Sequence, residues 1–153
     1  MYGAGHKKIG AIVGGGSGLG KRLQEQFLDR LPDLNLLKNR VTNTIGNRGG
    51  CLIGLDKRKI WVRSPHSALN SLLQGAAAVV MKKALVLFAN SLTDDVKIVA
   101  NVHDEWQVEC EEADGNVVGK LGVSAIIRAG HEYNLNCPLD GEYKIGLNWS
   151  ETH

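Results

Sequence analysis

The feature that most constrains the fold is a long amphipathic helix predicted between residues 64 and 90. It begins at Ser64-Pro65, since serine favours the N-cap position and proline is tolerated in the first turn. Apolar residues then recur at three- and four-residue steps, the period of one helix face. These residues are Leu69, Leu72, Leu73, Ala76, Val80, Ala84 and Leu87. A chain of 153 residues that is 43% hydrophobic can provide a core for that face.

A β-hairpin is predicted to follow this helix, over residues 96–111. In its second arm Trp106, Val108 and Cys110 alternate with polar residues, so they face one side of the hairpin. The turn holds His103-Asp104-Glu105. Adjacent carboxylates at a tight bend repel each other, and they become favourable when a divalent cation lies between them and a phosphate. The turn is therefore a candidate metal site, and the alternative is a solvated acidic turn.

The remaining segments predict further helices and short strands. We expect the glycine-rich residues 1–20 to be irregular, and helical spacing covers residues 23–45, with a second helix starting at Pro32. A loop is predicted over Asn43–Gly50 and two short strands over Cys51–Val62. A weaker helix is predicted over Gly115–Glu132, followed by an irregular tail with a strand or two over Cys137–His153. We therefore predict an α+β fold with two parts, residues 1–50 and residues 51–153.

Charge and cysteine content narrow the functional class. Residues 1–63 carry 12 Lys+Arg and 4 Asp+Glu, a net +8, whereas residues 64–153 carry 6 and 12, a net −6. A basic half suits a polyanion and an acidic half can hold metal ions, unless the imbalance arose by chance.

Three cysteines without metal-ligand spacing favour a reducing compartment. Without a signal peptide or an apolar run of membrane-spanning length, we expect a cytoplasmic protein with no membrane partner.

A row of uncharged polar side chains is predicted on the long helix. His66, Asn70 and Gln74 are spaced four residues apart, so they share one helix face. The minor groove of a duplex presents acceptors in nearly the same places for every Watson–Crick pair. Amide side chains on this row could therefore test base-pair geometry without reading sequence, and an ordinary solvated helix face is the alternative.

A competing reading concerns the glycine-rich segment Ile9–Gly20. Its apolar run followed by glycines is similar to the phosphate-binding turn of short-chain dehydrogenases. Such a fold needs several further strand–helix units and a Tyr-x-x-x-Lys sequence. Neither Tyr133 nor Tyr143 is followed by lysine at that spacing. Dinucleotide binding is therefore kept as the weaker alternative.

Several motifs, in order along nearly the whole chain, resemble the C-terminal end of family A DNA polymerases, and the phage replicative branch most of all. The ordered set is far more specific than His-Asp-Glu alone. It consists of Tyr2-Gly3-Ala4-Gly5, the segment from Arg63 to Gly75, Val102-His103-Asp104-Glu105, Gly146-Leu147-Asn148-Trp149 and a terminal His153.

This resemblance implies a role for each motif. His103, Asp104 and Glu105 correspond to motif C, with Asp104 and Glu105 at a two-metal Mg²⁺ site. Tyr2 and Gly3 end motif B beside the templating base and incoming nucleotide. The DNA-binding residues would be Arg63, His66, Asn70 and Gln74. Residues 1–50 would be part of the fingers and residues 51–153 part of the palm.

The sequence also departs from the family pattern. Motif A with its metal-binding aspartate, the start of motif B with its triphosphate-binding Arg and Lys, and the thumb are not found in these 153 residues. The resemblance therefore implies the C-terminal part of a DNA polymerase that needs a separately encoded N-terminal chain, acting on primer–template DNA and dNTPs, in the infected host cell if phage-encoded. An inactive remnant that binds nucleic acid is the alternative.

Overall fold

The computed structural model describes residues 4–153, so Tyr2 and Gly3 lie outside the described residues. The chain forms two compact units, with the division between Ala76 and Ala77 inside one helix. The elements of the first unit are α1 (His6–Ile12), α2 (Ser17–Asp29), α3 (Pro32–Asn47), β1 (Cys51–Ile53), β2 (Lys59–Trp61), a 3-10 turn (Pro65–Ser67) and the start of α4 (Ala68–Ala89). The second unit holds the rest of α4, then β3 (Lys97–Val102), β4 (Glu105–Glu109), a 3-10 turn (Glu112–Asp114), α5 (Gly115–Glu132) and α6 (Trp149–Thr152).

The core of the first unit joins α3, the β1–β2 hairpin and the start of α4. Val41 and Ile45 on α3 are buried with Leu52 of β1 and Ala68 of α4. The antiparallel register pairs Leu52 with Ile60, which packs against the same cluster. The N-terminal part of α4 is thereby fixed at the point where its polar row begins.

Helices α1 and α2 pack against each other at glycines, where no side chain separates the two backbones. The expectation that residues 1–20 are irregular was therefore wrong for these two helices. A Cβ atom built on Gly20 would lie 1.9 Å from the carbonyl oxygen of His6, and one on Gly10 would lie 2.2 Å from that of Gly16. Glycine is a poor helix former in isolation, which is why propensity pointed away from a helix. Here the missing side chains allow two helices to pack closely, so tertiary contact overrides propensity.

This crossing gives the first prediction. Gly20→Ala should lower the free energy of unfolding by about 3 kcal/mol, because the new methyl group meets backbone that cannot move without separating the helices. Gly18→Ala on the same helix is the matched control, since nothing lies within 4 Å of its Cβ position. The control should be stabilised by about 0.5–1 kcal/mol through helix propensity. Urea denaturation followed by circular dichroism measures both, and equal effects would contradict the crossing.

The second unit is built around Phe88 at the end of α4. Phe88, Val118 and Ala125 form the buried cluster, and the hairpin lies against it. The ring of Trp106 stacks on Phe88 with centroids 5.2 Å apart and planes inclined by 13°. Val108 and Cys110 pack on the same side. The predicted inward face of the hairpin is therefore confirmed.

The α+β fold class is confirmed, with differences in three segments. Helix α3 runs to Asn47 through part of the predicted loop, because Ile45 is needed in the first core. The described part of the tail has no strand and ends in α6.

Both sheets of the described residues are two-stranded and antiparallel. The parallel sheet that a dinucleotide-binding fold requires is thus not present in residues 4–153, and segment Ile9–Val13 lies mostly in α1.

The expectation that the sequence has no apolar segment of membrane-spanning length was wrong for one helix. The helical stretch Pro65–Ala89 is long enough to cross a membrane and has a mean hydropathy of 1.7 over its most apolar window. Counting uninterrupted apolar runs missed it because Lys82 and Lys83 divide the sequence. Core helices of globular domains pass the same test; Ala84 and Phe88 are fully buried in the second unit, but only 17% of the apolar window is buried.

Candidate active site

The His-Asp-Glu sequence lies at the end of the β3–β4 hairpin. Val102 pairs with Glu105 across the strands, so His103 and Asp104 form a two-residue loop. His103 adopts a left-handed backbone conformation with φ of 55°, which hairpin loops of this length require and which glycine normally supplies. Residues with side chains in this region are uncommon outside turns and functional sites. The loop therefore displays His103 and Asp104 at the surface, where both are exposed.

The carboxylate of Glu105 is held on both oxygens. Its Oε1 accepts hydrogen bonds from the side-chain amide of Gln107 and, over 3.0 Å, from the indole N–H of Trp149. Its Oε2 lies 2.9 Å from Nδ1 of His153. The hydrogen bonds from Gln107 and His153, with that from Trp149, outweigh partial desolvation and hold the pKa of the Glu105 carboxyl below its usual range. Glu105 is therefore an ionised and oriented group.

Asp104 differs from its neighbour in having a free carboxylate. Among the described residues it forms no hydrogen bond or ion pair, and its side chain is exposed. An exposed aspartate suits the oxygen-ligand chemistry of Mg²⁺, which binds through one or two carboxylates and keeps several waters. Within residues 4–153 no group of three His, Cys, Asp or Glu side chains could enclose a metal ion. Asp104 thus fits one ligand of a site that needs further donors.

The other carboxylates of the hairpin region lie too far from the loop to serve as those donors. Glu109 ends β4, and Glu111 and Glu112 follow it at the opposite end of the hairpin. A strand rises by about 3.3 Å per residue, which separates Glu109 from Glu105 by roughly 13 Å. Glu109, Glu111 and Glu112 are therefore not donors to a metal ion bound at the hairpin loop.

A groove runs beside the hairpin loop in the second unit. Its volume is about 1200 Å³, and both Asp104 and Glu105 line it together with residues of α5 and the tail. The groove also exposes Val99 of β3, which is 59% accessible. The groove, the free carboxylate of Asp104 and the exposed strand β3 therefore lie together at the hairpin loop.

The predicted DNA-binding residues lie in the first unit, and the position of His66 differs from the prediction. Asn70 and Gln74 share one face of α4, as predicted. His66, however, lies in the 3-10 turn before α4, where each residue turns further about the axis than in an α-helix. His66 is thus offset from the row, and it and Arg63 are exposed beside the basic β1–β2 hairpin.

Sequence reasoning assigned no role to the residues that hold Glu105. Gln107 shares a strand face with Glu105 at i+2, a signal that was available. Trp149 and His153 carried part of the family resemblance, but their contacts with Glu105 span 44 and 48 residues. No local pattern predicts a contact between side chains so far apart in the chain.

Comparisons with known proteins agree on one family. The family model described as DNA polymerase family A matches residues 1–151. The chain is 35% identical to the DNA-directed DNA polymerase of Enterobacteria phage T3, and 39% identical to that of Escherichia phage Phieco32. These matches cover 100% and 99% of this chain but 25% and 26% of the relatives, so the chain spans about a quarter of their length.

A solved structure supports the fold. The POL domain of Pol1 from M. smegmatis, in complex with DNA primer–template and dNTP, superposes with a TM-score of 0.73 at 21% identity. The match covers 84% of this chain and 25% of that one. At this identity the likeness concerns the fold alone.

Proposed function

Because the chain belongs to the family A DNA polymerases, we propose that it forms the C-terminal part of a DNA-directed DNA polymerase. The reaction is the transfer of a nucleotide to the 3′-hydroxyl of a primer. The observation that carries this proposal is the free carboxylate of Asp104, presented in a two-residue loop beside the oriented carboxylate of Glu105. Residues 1–50 act as part of the fingers and residues 51–153 as part of the palm.

Asp104 would hold Mg²⁺, and Glu105 would support the metal site beside it. Two such ions, when bound, would supply Lewis-acid chemistry to the primer hydroxyl and to the leaving pyrophosphate. Glu105 keeps its charge beside this position because its own donors favour the ionised form. His103 fixes the loop geometry through its left-handed backbone, and in the proposed reaction it would lie next to the reacting groups. The hairpin can act as a rigid platform, since Trp106 anchors it on Phe88.

The first unit supplies the DNA contacts. All of its excess positive charge, a net +8, falls within residues 1–63, and charge of this sign attracts phosphates. Arg63 and His66 would contact the backbone or minor groove beside the row of Asn70 and Gln74 on α4. Tyr2 and Gly3, outside the described residues, are proposed to lie at the templating base and incoming nucleotide.

The polar row gives the second prediction. Asn70→Ala or Gln74→Ala should weaken primer–template binding or mismatch discrimination by about 1 kcal/mol for each lost hydrogen bond. The loss should be the same for every base sequence, because minor-groove acceptors are shared among base pairs. Fluorescence anisotropy with primer–templates of different sequence measures it. Ser71→Ala, one residue away on a different face of α4, is the control, and unchanged binding in the double mutant would reduce the row to a solvated face.

A two-metal site needs more ligands than the hairpin loop supplies. Because Asp104 and Glu105 alone cannot complete it, a further polymerase segment should bring the second aspartate and the triphosphate-binding residues, and we propose that this segment is a separately encoded N-terminal chain. Primer extension by the two chains together tests this function. A remnant that only binds nucleic acid is the second candidate, favoured by the basic first unit, and it would bind DNA without extending any primer.

A further inference from the structure

The C-terminal segment, residues 139–153, lies along α5 in the second unit. Glycines on α5 make room for it: a Cβ on Gly119 would lie 2.3 Å from the ring of Tyr143, and one on Gly115 would lie 3.2 Å from Ile145. The segment therefore has a defined path along the helix and ends in the short helix α6.

Helix α6 is fixed at both ends by side-chain contacts. At its start, the carboxylate of Glu151 accepts hydrogen bonds from the backbone N–H of Leu147 and the side chain of Asn148, at 2.8 and 2.9 Å. At its end, the hydroxyl of Thr152 donates to the side-chain oxygen of Gln107 over 3.0 Å. A helix of four residues is not stable alone, so these contacts determine its position.

Two residues of this segment converge on the carboxylate of Glu105. The indole N–H of Trp149 donates to one oxygen over 3.0 Å, and the ring nitrogen of His153 lies 2.9 Å from the other. The rings of Trp149 and His153 also meet edge to face, with centroids 6.3 Å apart. A glutamate side chain with three rotatable bonds is thereby limited to one orientation beside Asp104.

We propose that Trp149 and His153 are positioning residues that hold Glu105 in its working orientation at the hairpin loop. The reaction in which Glu105 takes part rests on the proposed function, whereas the contact between the segment and the hairpin does not. Partners that orient a functional carboxylate typically change activity by 10–100-fold when removed. The expected loss for either residue is thus about tenfold or more in the rate of nucleotide addition.

The contact itself can be tested without any polymerase activity. The chain has three tryptophans, so ¹⁵N spectra of the full chain give three indole N–H signals, and Trp149→Phe identifies one of them. Glu105→Gln should shift the Trp149 signal because it removes the charged acceptor. Glu111→Gln, the same change at the exposed far end of the hairpin, should leave that signal unchanged. An unshifted Trp149 signal in Glu105→Gln would overturn the proposal.

The positioning role is tested in the assembled polymerase by single-turnover extension. His153→Ala and Trp149→Phe should lower the maximal rate by about tenfold or more while leaving the Kd for primer–template within twofold. His153→Asn should restore the rate, because the asparagine amide can place an N–H where Nδ1 of histidine lies. Equal losses in the alanine and asparagine variants, or a change in Kd alone, would overturn the positioning role. If no assembly extends primers, the proposed function fails and the indole measurement alone decides the contact.

Discussion

Asp104→Asn should abolish nucleotide addition by the assembled polymerase, with a loss of at least about 10³-fold. The substitution keeps the size of the side chain and removes the charge that would hold Mg²⁺. A Lewis-acid metal contributes several kcal/mol to such a reaction, and each 1.36 kcal/mol corresponds to a factor of ten in rate. Primer extension with Mg²⁺ is the measurement.

The structure provides the controls for this variant. Asp104 is exposed and makes no hydrogen bond or ion pair with the described residues, so Asp104→Asn should unfold at the same urea concentration as the parent chain. Glu109→Gln removes the same charge from the same hairpin, roughly 13 Å from the loop, and should retain normal extension. Normal extension by Asp104→Asn would remove this residue from the active site.

The elements that were predictable from sequence are those with a long, regular pattern. The predicted helix over residues 64–90 is observed as the 3-10 turn followed by α4, and the predicted helix Gly115–Glu132 matches α5. In each case an apolar period repeats over several turns, which is the strongest local signal of a helix. The predicted apolar face of the long helix is buried only in part, since Leu73 is 57% accessible, and it did not include the buried Phe88. The hairpin was predictable for a related reason, since its alternating residues pack on Phe88.

The elements that were missed depend on contacts between distant or glycine-rich segments. Helix α1 was not expected because its glycines disfavour a helix, yet Gly10 and Gly20 are what allow α1 and α2 to cross. In the candidate site, sequence reasoning found Asp104 and Glu105 but not the groups that orient Glu105. The indole of Trp149 reaches that carboxylate only after residues 139–153 have packed along α5, so its role depends on the folded chain.

Two apolar surfaces are exposed among the described residues. Val99 and Val102 of β3 are 59% and 40% accessible, and the described hairpin has no third strand beside it. Leu73 of α4, in the first unit, is 57% accessible. An exposed strand edge and exposed apolar side chains favour association with another chain. We expect the 153-residue chain assayed alone to be marginally stable and to self-associate.

The same chain assayed alone should show no primer extension. Co-expression with a chain that carries motif A and the start of motif B should give a stable heterodimer that extends primers. The physical reason is the donor set: among the described residues no group of three His, Cys, Asp or Glu side chains could hold a metal ion, and Glu109, Glu111 and Glu112 lie at the far end of the hairpin from Asp104. Primer extension with Mg²⁺ is measured for each chain alone and for the mixture. The mixture containing Asp104→Asn is the control, because its inactivity would place the catalytic carboxylate on this chain. Activity of this chain alone would contradict the shared site, and a stable monomer that binds DNA but no candidate partner would identify it as a remnant.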